Sequence, residues 1–127
     1  MSGTLEHVNV TVADAGATAD MLEDLFGWKV RWEGEVLGGR GRTAHVGNKT
    51  AYLAIYEPKD VSAGEESSYT TRGGLNHIGV VVEDLDSVEA RVKARGYLPE
   101  KHADYEPGRR FYFTEENGIE IEVVSYS

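Results

Sequence analysis

Cysteine is absent from the chain. That excludes disulfides, thiolate catalysis and zinc held by thiolates, and it leaves the redox compartment unread. Basic charge is scarce: 13 Lys and Arg stand against 22 Asp and Glu, a net charge of −9. An acidic surface repels phosphate backbones and anionic lipid, so neither nucleic acid nor membrane is an expected partner. Long apolar runs are missing too. None approaches the length of a membrane span, and the first residues lack the charged-then-apolar layout of a signal peptide, so the cytoplasm is the expected compartment. What is present is ordinary for a globular protein: 40% hydrophobic and 28% charged, with 15 glycines that indicate many turns. A length of 127 residues suits one domain, or two small modules sharing a core.

One stretch organises the rest: Leu75-Asn76-His77-Ile78-Gly79-Val80-Val81-Val82-Glu83-Asp84. It reads as a strand rich in β-branched residues, ending where an acidic residue can start a helix. Ile78, Val80 and Val82 take one face, ready to pack on a helix, and His77, Gly79 and Val81 the other. Seventy positions earlier stands Leu5-Glu6-His7-Val8-Asn9-Val10-Thr11-Val12-Ala13-Asp14, with Val8, Val10 and Val12 on one face and His7, Asn9 and Thr11 on the other. The chain is a duplication, and each half sets a histidine in the same phase of the same strand.

After the first strand, Asp14 is a helix cap, Ala15 to Phe26 a helix with Met21, Leu22, Leu25 and Phe26 as its apolar stripe, and Gly27 its end. Trp28 to Trp32 alternates like a strand. Gly38, Gly39 and Gly41 mark a turn, and Arg42 to Val46 and Thr50 to Tyr56 read as two strands joined at Gly47-Asn48-Lys49. The first module is residues 1–57, and a polar connection without apolar periodicity spans 58–74. The second module, 75–127, repeats the order. Asp86 with Glu89 resembles a capping box, Val88, Val92 and Ala94 lie along the helix, and Gly96 closes it. Tyr97-Leu98 begins a strand. Arg109 to Thr114 and Ile119 to Tyr126 are the last two, joined at Glu116-Asn117-Gly118, where Asn-Gly is a hairpin signal.

In the terminal strand Ile119, Ile121 and Val123 oppose Glu120, Glu122 and Val124. If the apolar side packs on the helices, Glu122 joins His7 and His77 on the other side. Two imidazoles and a carboxylate suit Fe, Mn, Ni, Co or Zn as a divalent ion. Sliding one half on the other sets Ala54, which cannot ligate, against Glu122, with Tyr52 and Tyr56 as its face-mates. The same slide sets His45 against Phe113, which predicts that His45 faces the helices. His102 is expected in a solvated loop. Arg110 points inward beside Tyr112 if Phe111 and Phe113 face the helices, where it suits a carboxylate or phosphonate.

Duplicated strand-helix-strand-strand-strand modules, each opening on Leu-x-His-[Val/Ile]-x-Val-x-Val-x-Asp, resemble the vicinal oxygen chelate superfamily of glyoxalases, bleomycin resistance proteins and dioxygenases. The ending Phe111-Tyr112-Phe113-Thr114-Glu115-Glu116-Asn117-Gly118-Ile119-Glu120-Ile121-Glu122 is similar to that superfamily's Phe-x-Asp-Pro-x-Gly-x-x-x-Glu motif, with Glu115-Glu116 in place of Asp-Pro. The resemblance implies an α+β fold of two tandem βαβββ modules whose mixed sheets curve into a cup with helices on the convex side. It implies metal ligands at His7, His77 and Glu122, with Ala54 in the fourth position, as in the three-ligand fosfomycin-resistance thiol transferases and extradiol dioxygenases. It further implies a homodimer with shared sites.

The expected function is a small metal-dependent enzyme acting on a small oxygen-chelating substrate, by lyase, isomerase or thiol-transferase-like chemistry. The rivals are an extradiol-type ring-cleaving dioxygenase and a metal-free drug or metabolite binding protein of the bleomycin-resistance type. Tyr52, Ala54, Tyr56 and Arg110 are the expected substrate contacts. The candidates for a general base are Glu57, Glu120 and Tyr56, and the pattern selects none of them.

Overall fold

The computed structural model describes residues 2–36, 39–64 and 66–127. Gly38 of the expected turn and Glu65 of the expected connection lie outside them. The chain forms two compact units, Met1–Ala63 and Gly64–Ser127, called here module one and module two.

Module one runs β1 (His7–Thr11), α1 (Ala15–Phe26), β2 (Lys29–Glu35), β3 (Gly41–Gly47) and β4 (Tyr52–Pro58). Its sheet has the order β1-β4-β3-β2, with β1 parallel to β4 and the other pairs antiparallel. The helix follows its sequence signals. Asp14 caps it, its Oδ1 accepting from Ala17 N at 3.0 Å, and Gly27 ends it in the left-handed conformation at φ 70 that glycine adopts without strain. Met21, Leu22 and Leu25 are buried against the sheet with Val12, Ala44, Val46 and Ile55. Phe26 is only half-buried and packs on Trp28, ring centroids 5.4 Å apart.

Module two repeats this as β5 (Ile78–Val81), α2 (Leu85–Ala94), β6 (Glu100–Tyr105), β7 (Gly108–Thr114) and β8 (Glu120–Ser125), in the order β5-β8-β7-β6. Phe111, Phe113, Ile121 and Val123 form its fully buried base with Val92 of α2. Burial of each phenylalanine contributes about 1.5–3 kcal/mol. No helix among the described residues is long and apolar enough to cross a membrane.

Several expectations are corrected. The organising strand is shorter than its apolar run, and His77 lies one residue before β5. The second helix is capped by Asp84, whose Oδ1 accepts from Ser87 N at 3.0 Å, and not by Asp86. Asp84 stands seventy positions after Asp14, so the duplication carried the cap. Asp86 instead pairs with Arg109 at 2.9 Å. His102 lies in β6, 3.0 Å from Glu89 Oε2 and stacked near Phe111, because β6 starts two residues beyond Leu98.

His45 does not face the helix. It pairs with Ala54, while Tyr112 pairs with Glu122, so Tyr112 and not Phe113 is its counterpart. The cause is the hairpin connection: residues 48–51 separate the last paired positions of β3 and β4, whereas 115–119 separate those of β7 and β8. One residue more in module two moves β7 one step along and exchanges its faces relative to a simple slide. The longer turn is held by Glu115, which is buried and accepts from Asn117 N, Asn117 Nδ2 and Ile119 N at 2.6–3.0 Å. Burial pushes its carboxyl up, against those three donors.

Candidate functional site

Each module presents a face away from its helix, and the two faces differ in chemistry.

In module two, the parallel register sets Gly79 beside Glu122. A Cβ at Gly79 would stand 3.8 Å from Glu122 Oε1, so the glycine leaves that carboxylate uncrowded. His77 Nε2 lies 3.1 Å from Oε1, and Arg110 Nη1 donates to Oε2 at 2.9 Å. The Glu122 and Arg110 side chains are 12% and 14% exposed, so solvent screens their pairing little. Arg110 Nε is buried and has no partner. Asn76 Oδ1 lies 2.7 Å from His77 Nδ1 and accepts its proton. Tyr112 meets the His77 ring edge-on at 5.6 Å. Burial, and after it the Glu122 charge, push the Tyr112 phenol up.

Glu120 shares the face with Glu122 and is not the solvated carboxylate its position near the sheet edge suggests. The Tyr69 hydroxyl donates to Oε1, and Lys101 Nζ donates to Oε2 at 3.0 Å. Burial alone would raise its carboxyl, but these two donors hold it below the usual range. Tyr69 sits in a tight turn in which the amides of Thr70 and Thr71 both donate to Ser67 O. Lys101 reaches Glu120 from a register irregularity in β6, at φ 55, a backbone conformation uncommon for a residue with a side chain.

In module one, His7, Asn9 and Thr11 pair with Tyr52, Ala54 and Tyr56 on one face. His7 Nδ1 lies 2.8 Å from Glu6 Oε1, and Tyr52 Oη donates to the same oxygen at 3.3 Å. The hydrogen bond with His7 holds the Glu6 carboxyl below its ordinary range. His7 stacks on Tyr52 at 4.9 Å, and Tyr52 on His45 at 4.5 Å. Burial, then the His7 and Arg31 charges, push the His45 imidazole down. Ala54 is buried. Tyr56 Oη donates to Arg40 O at 3.4 Å. Glu57 is on the opposite side, where its Oε1 accepts from Ala15 N of α1 at 2.8 Å, away from the face that carries His7 and Tyr52.

The sequence placed His7, His77, Glu122, Tyr52 and Arg110 on their faces but did not single out Tyr112, Lys101, Tyr69, Arg31 or Trp32. Strand alternation would have found Tyr112, which lies between the buried Phe111 and Phe113. No local signal marks Lys101 or Tyr69, which reach the site through a bulge and a turn. Among the described residues no three His, Asp or Glu side chains are gathered as a metal-holding group.

A family model described as the Glyoxalase/Bleomycin resistance protein/Dioxygenase superfamily matches residues 4–123. No curated protein matches the sequence. Among solved structures, a glyoxylase/bleomycin resistance protein/dioxygenase domain from Frankia sp. EAN1pec has a TM-score of 0.81 at 23% identity, covering 100% of this chain and 99% of its own. The fosfomycin resistance protein FosX from Listeria monocytogenes, complexed with Mn(II) and sulfate, has a TM-score of 0.76 at 19% identity, covering 100% and 95%. TnmS3, an antibiotic binding protein from Streptomyces sp. CB03234, has a TM-score of 0.73 at 17% identity, covering 99% and 98%. With the family model spanning almost the whole chain and the tandem βαβββ modules shared with these structures, the chain belongs to the Glyoxalase/Bleomycin resistance protein/Dioxygenase superfamily.

Proposed function

We propose that the chain is a small metal-dependent enzyme acting on a small substrate that chelates through its oxygens, by lyase, isomerase or thiol-transferase-like chemistry. The observation that carries this reading is the meeting of His77 Nε2 and Glu122 Oε1 at 3.1 Å. With Nδ1 turned to the Asn76 carbonyl, the other ring nitrogen, Nε2, is the one that meets the Glu122 carboxylate. Two acceptors at contact need a proton or a cation between them. Imidazole and carboxylate are donors that fit Fe, Mn, Ni, Co or Zn. His7, its Nδ1 likewise turned to a neighbouring acceptor in Glu6, offers a third donor of the same kind.

His7, His77 and Glu122 would hold the ion, which when bound supplies Lewis acidity toward substrate oxygens. The remaining work falls to the chain's own side chains. Arg110 fixes the Glu122 carboxylate and offsets its charge. Tyr112 keeps its proton and presents a hydroxyl donor beside His77. Glu120, held ionised by Tyr69 and Lys101, is the acceptor on this face for a proton leaving the substrate. The same reading expects a homodimer in which His7 of one copy serves with His77 and Glu122 of another.

The test is thermal unfolding of chelator-stripped protein with and without Mn(II). Saturation at a hundredfold excess over Kd stabilises by about 2.7 kcal/mol through mass action. His77→Ala and Glu122→Gln should abolish that gain. If both variants respond to Mn(II) as wild type does, the ligand set is wrong. A second reading, a metal-free antibiotic-binding protein, is favoured by the ring stack of module one; protein that no divalent ion stabilises would select it.

A further inference from the structure

We propose that module one carries a stacking shelf for a planar aromatic anion, built by Trp32, His45, Tyr52 and Arg31. The proposal rests on reading this face as a ligand face, with or without a metal.

A break in strand register makes the shelf. In an unbroken β2, Val30 and Trp32 would share a face. Here Val30 pairs with Val46, Trp32 pairs with His45, and the register shifts between them. The extra residue is Arg31. Trp32 thereby leaves the Val30 side and joins the ring stack, its centroid 5.1 Å from that of His45. Arg31, its immediate neighbour in sequence, reaches the same face and lies over the Tyr52 ring at 4.4 Å. Two consecutive side chains share a face, which regular strand alternation forbids and a bulge permits.

Gly34 completes the arrangement. It shares the face of Trp32, and a Cβ there would stand 2.9 Å from the indole ring, so the indole lies down across the glycine. The result is a run of rings, Trp32, His45, Tyr52 and His7, with a guanidinium at its side. The run is open at the Trp32 end, where the indole is 51% exposed. The Arg31 face serves Tyr52 and its charge acts on Glu6 at longer range, while its in-plane donors are turned to no described acceptor within hydrogen-bond distance and can take an anion. An apolar π-face beside an unpaired guanidinium selects a flat ring system that carries a carboxylate, sulfonate or phosphate at its edge. Glu6 also borders the shelf, its Oε1 accepting from Tyr52 Oη at 3.3 Å and its carboxyl held down in part by the Arg31 charge, so an anion competes with it for the guanidinium.

The two indole N–H signals of ¹⁵N-labelled protein test this. Trp32 is the reporter, and Trp28, packed on Phe26, is the internal control. Metal-free protein in chelator is titrated with 2-naphthalenesulfonate and, separately, with cyclohexanesulfonate. The naphthalene should move the Trp32 signal upfield to saturation and leave Trp28 in place, while the non-aromatic sulfonate binds about tenfold more weakly. Trp32→Leu keeps apolar bulk without the indole and should weaken binding about tenfold, measured by calorimetry. Gly34→Ala, which lifts the indole, and Arg31→Gln, which removes the anion's partner, should each weaken it as well. A Trp32 signal that does not move, equal affinity for the two sulfonates, or unchanged affinity in Trp32→Leu overturns the shelf. Because the titration is metal-free and read at Trp32, its failure leaves the Mn(II) result standing, and loss of the Mn(II) response leaves the shelf standing.

Discussion

Module one and module two carry the same hairpin with different residues facing each other across it. In module one His45 opposes Ala54 and Thr43 opposes Tyr56. At the corresponding places in module two Tyr112 opposes Glu122 and Arg110 opposes Val124. The first arrangement yields a stack of rings over a buried alanine, the second an ion pair beside a histidine. Their edge strands agree more closely. β2 and β6 both break register, and each delivers a cation to a ring on the face away from the helix: Arg31 over Tyr52 at 4.4 Å, Lys101 over Tyr112 at 5.6 Å. The duplicated backbone keeps its irregularities while the side chains it presents diverge. One face has become π-rich and the other ionic.

The greatest loss should come from forcing module one toward the composition of module two. Ala54→Glu sets a carboxylate in the buried place equivalent to that of Glu122, but with Thr43 where module two has its arginine. An unpaired buried charge of this kind should cost about 3–5 kcal/mol by urea unfolding. Adding Thr43→Arg should recover a good part of that loss. If Ala54→Glu unfolds like wild type, the two positions are not equivalent in environment. The reverse break is smaller. Arg110→Met removes the guanidinium from Glu122 while keeping an apolar stem, and should destabilise by about 2 kcal/mol. Equal stability of Arg110→Met and wild type at neutral pH would show that the ion pair contributes nothing.

The smallest effect is a difference in pH dependence. Burial, then the His7 and Arg31 charges, hold the His45 imidazole below its ordinary value of 6.5. A base whose pKa is lowered on folding binds protons better in the unfolded chain. Its contribution is therefore full above about 6.5 and lost as pH falls through and below that value. His45→Phe keeps a ring in the stack without the titration. Its urea midpoint should fall less between about pH 7.5 and pH 5.5 than that of wild type. Parallel midpoints across that range would count against His45 as the titrating member of the stack.

How much of this was legible follows the range of each signal. The helix caps at Asp14 and Gly27, the apolar stripe of α1, and the placing of His7, Glu122 and Arg110 on faces away from the helices could be read off, because each depends on residues within one turn or one strand. The cap of α2 was legible too, through the repeat of Asp14 at Asp84, although the nearer pattern at Asp86 and Glu89 competed with it. His45 was misplaced because its facing depends on the length of a connection between two strands. Arg31, Trp32 and Lys101 were passed over because a bulge has no reliable local signature. Tyr69 was passed over because its partner Glu120 is far away in sequence.

The duplication, the βαβββ order of each module, and the facing of β1, β5 and β8 follow from the residues alone, because strand alternation and helix capping are local rules with fixed periods. The match of His45 to Tyr112, the shared face of Arg31 and Trp32, and the meeting of Tyr69 and Lys101 on Glu120 arise in the folded chain. These depend on register between strands, where one residue more in a turn or a bulge exchanges the faces of everything beyond it.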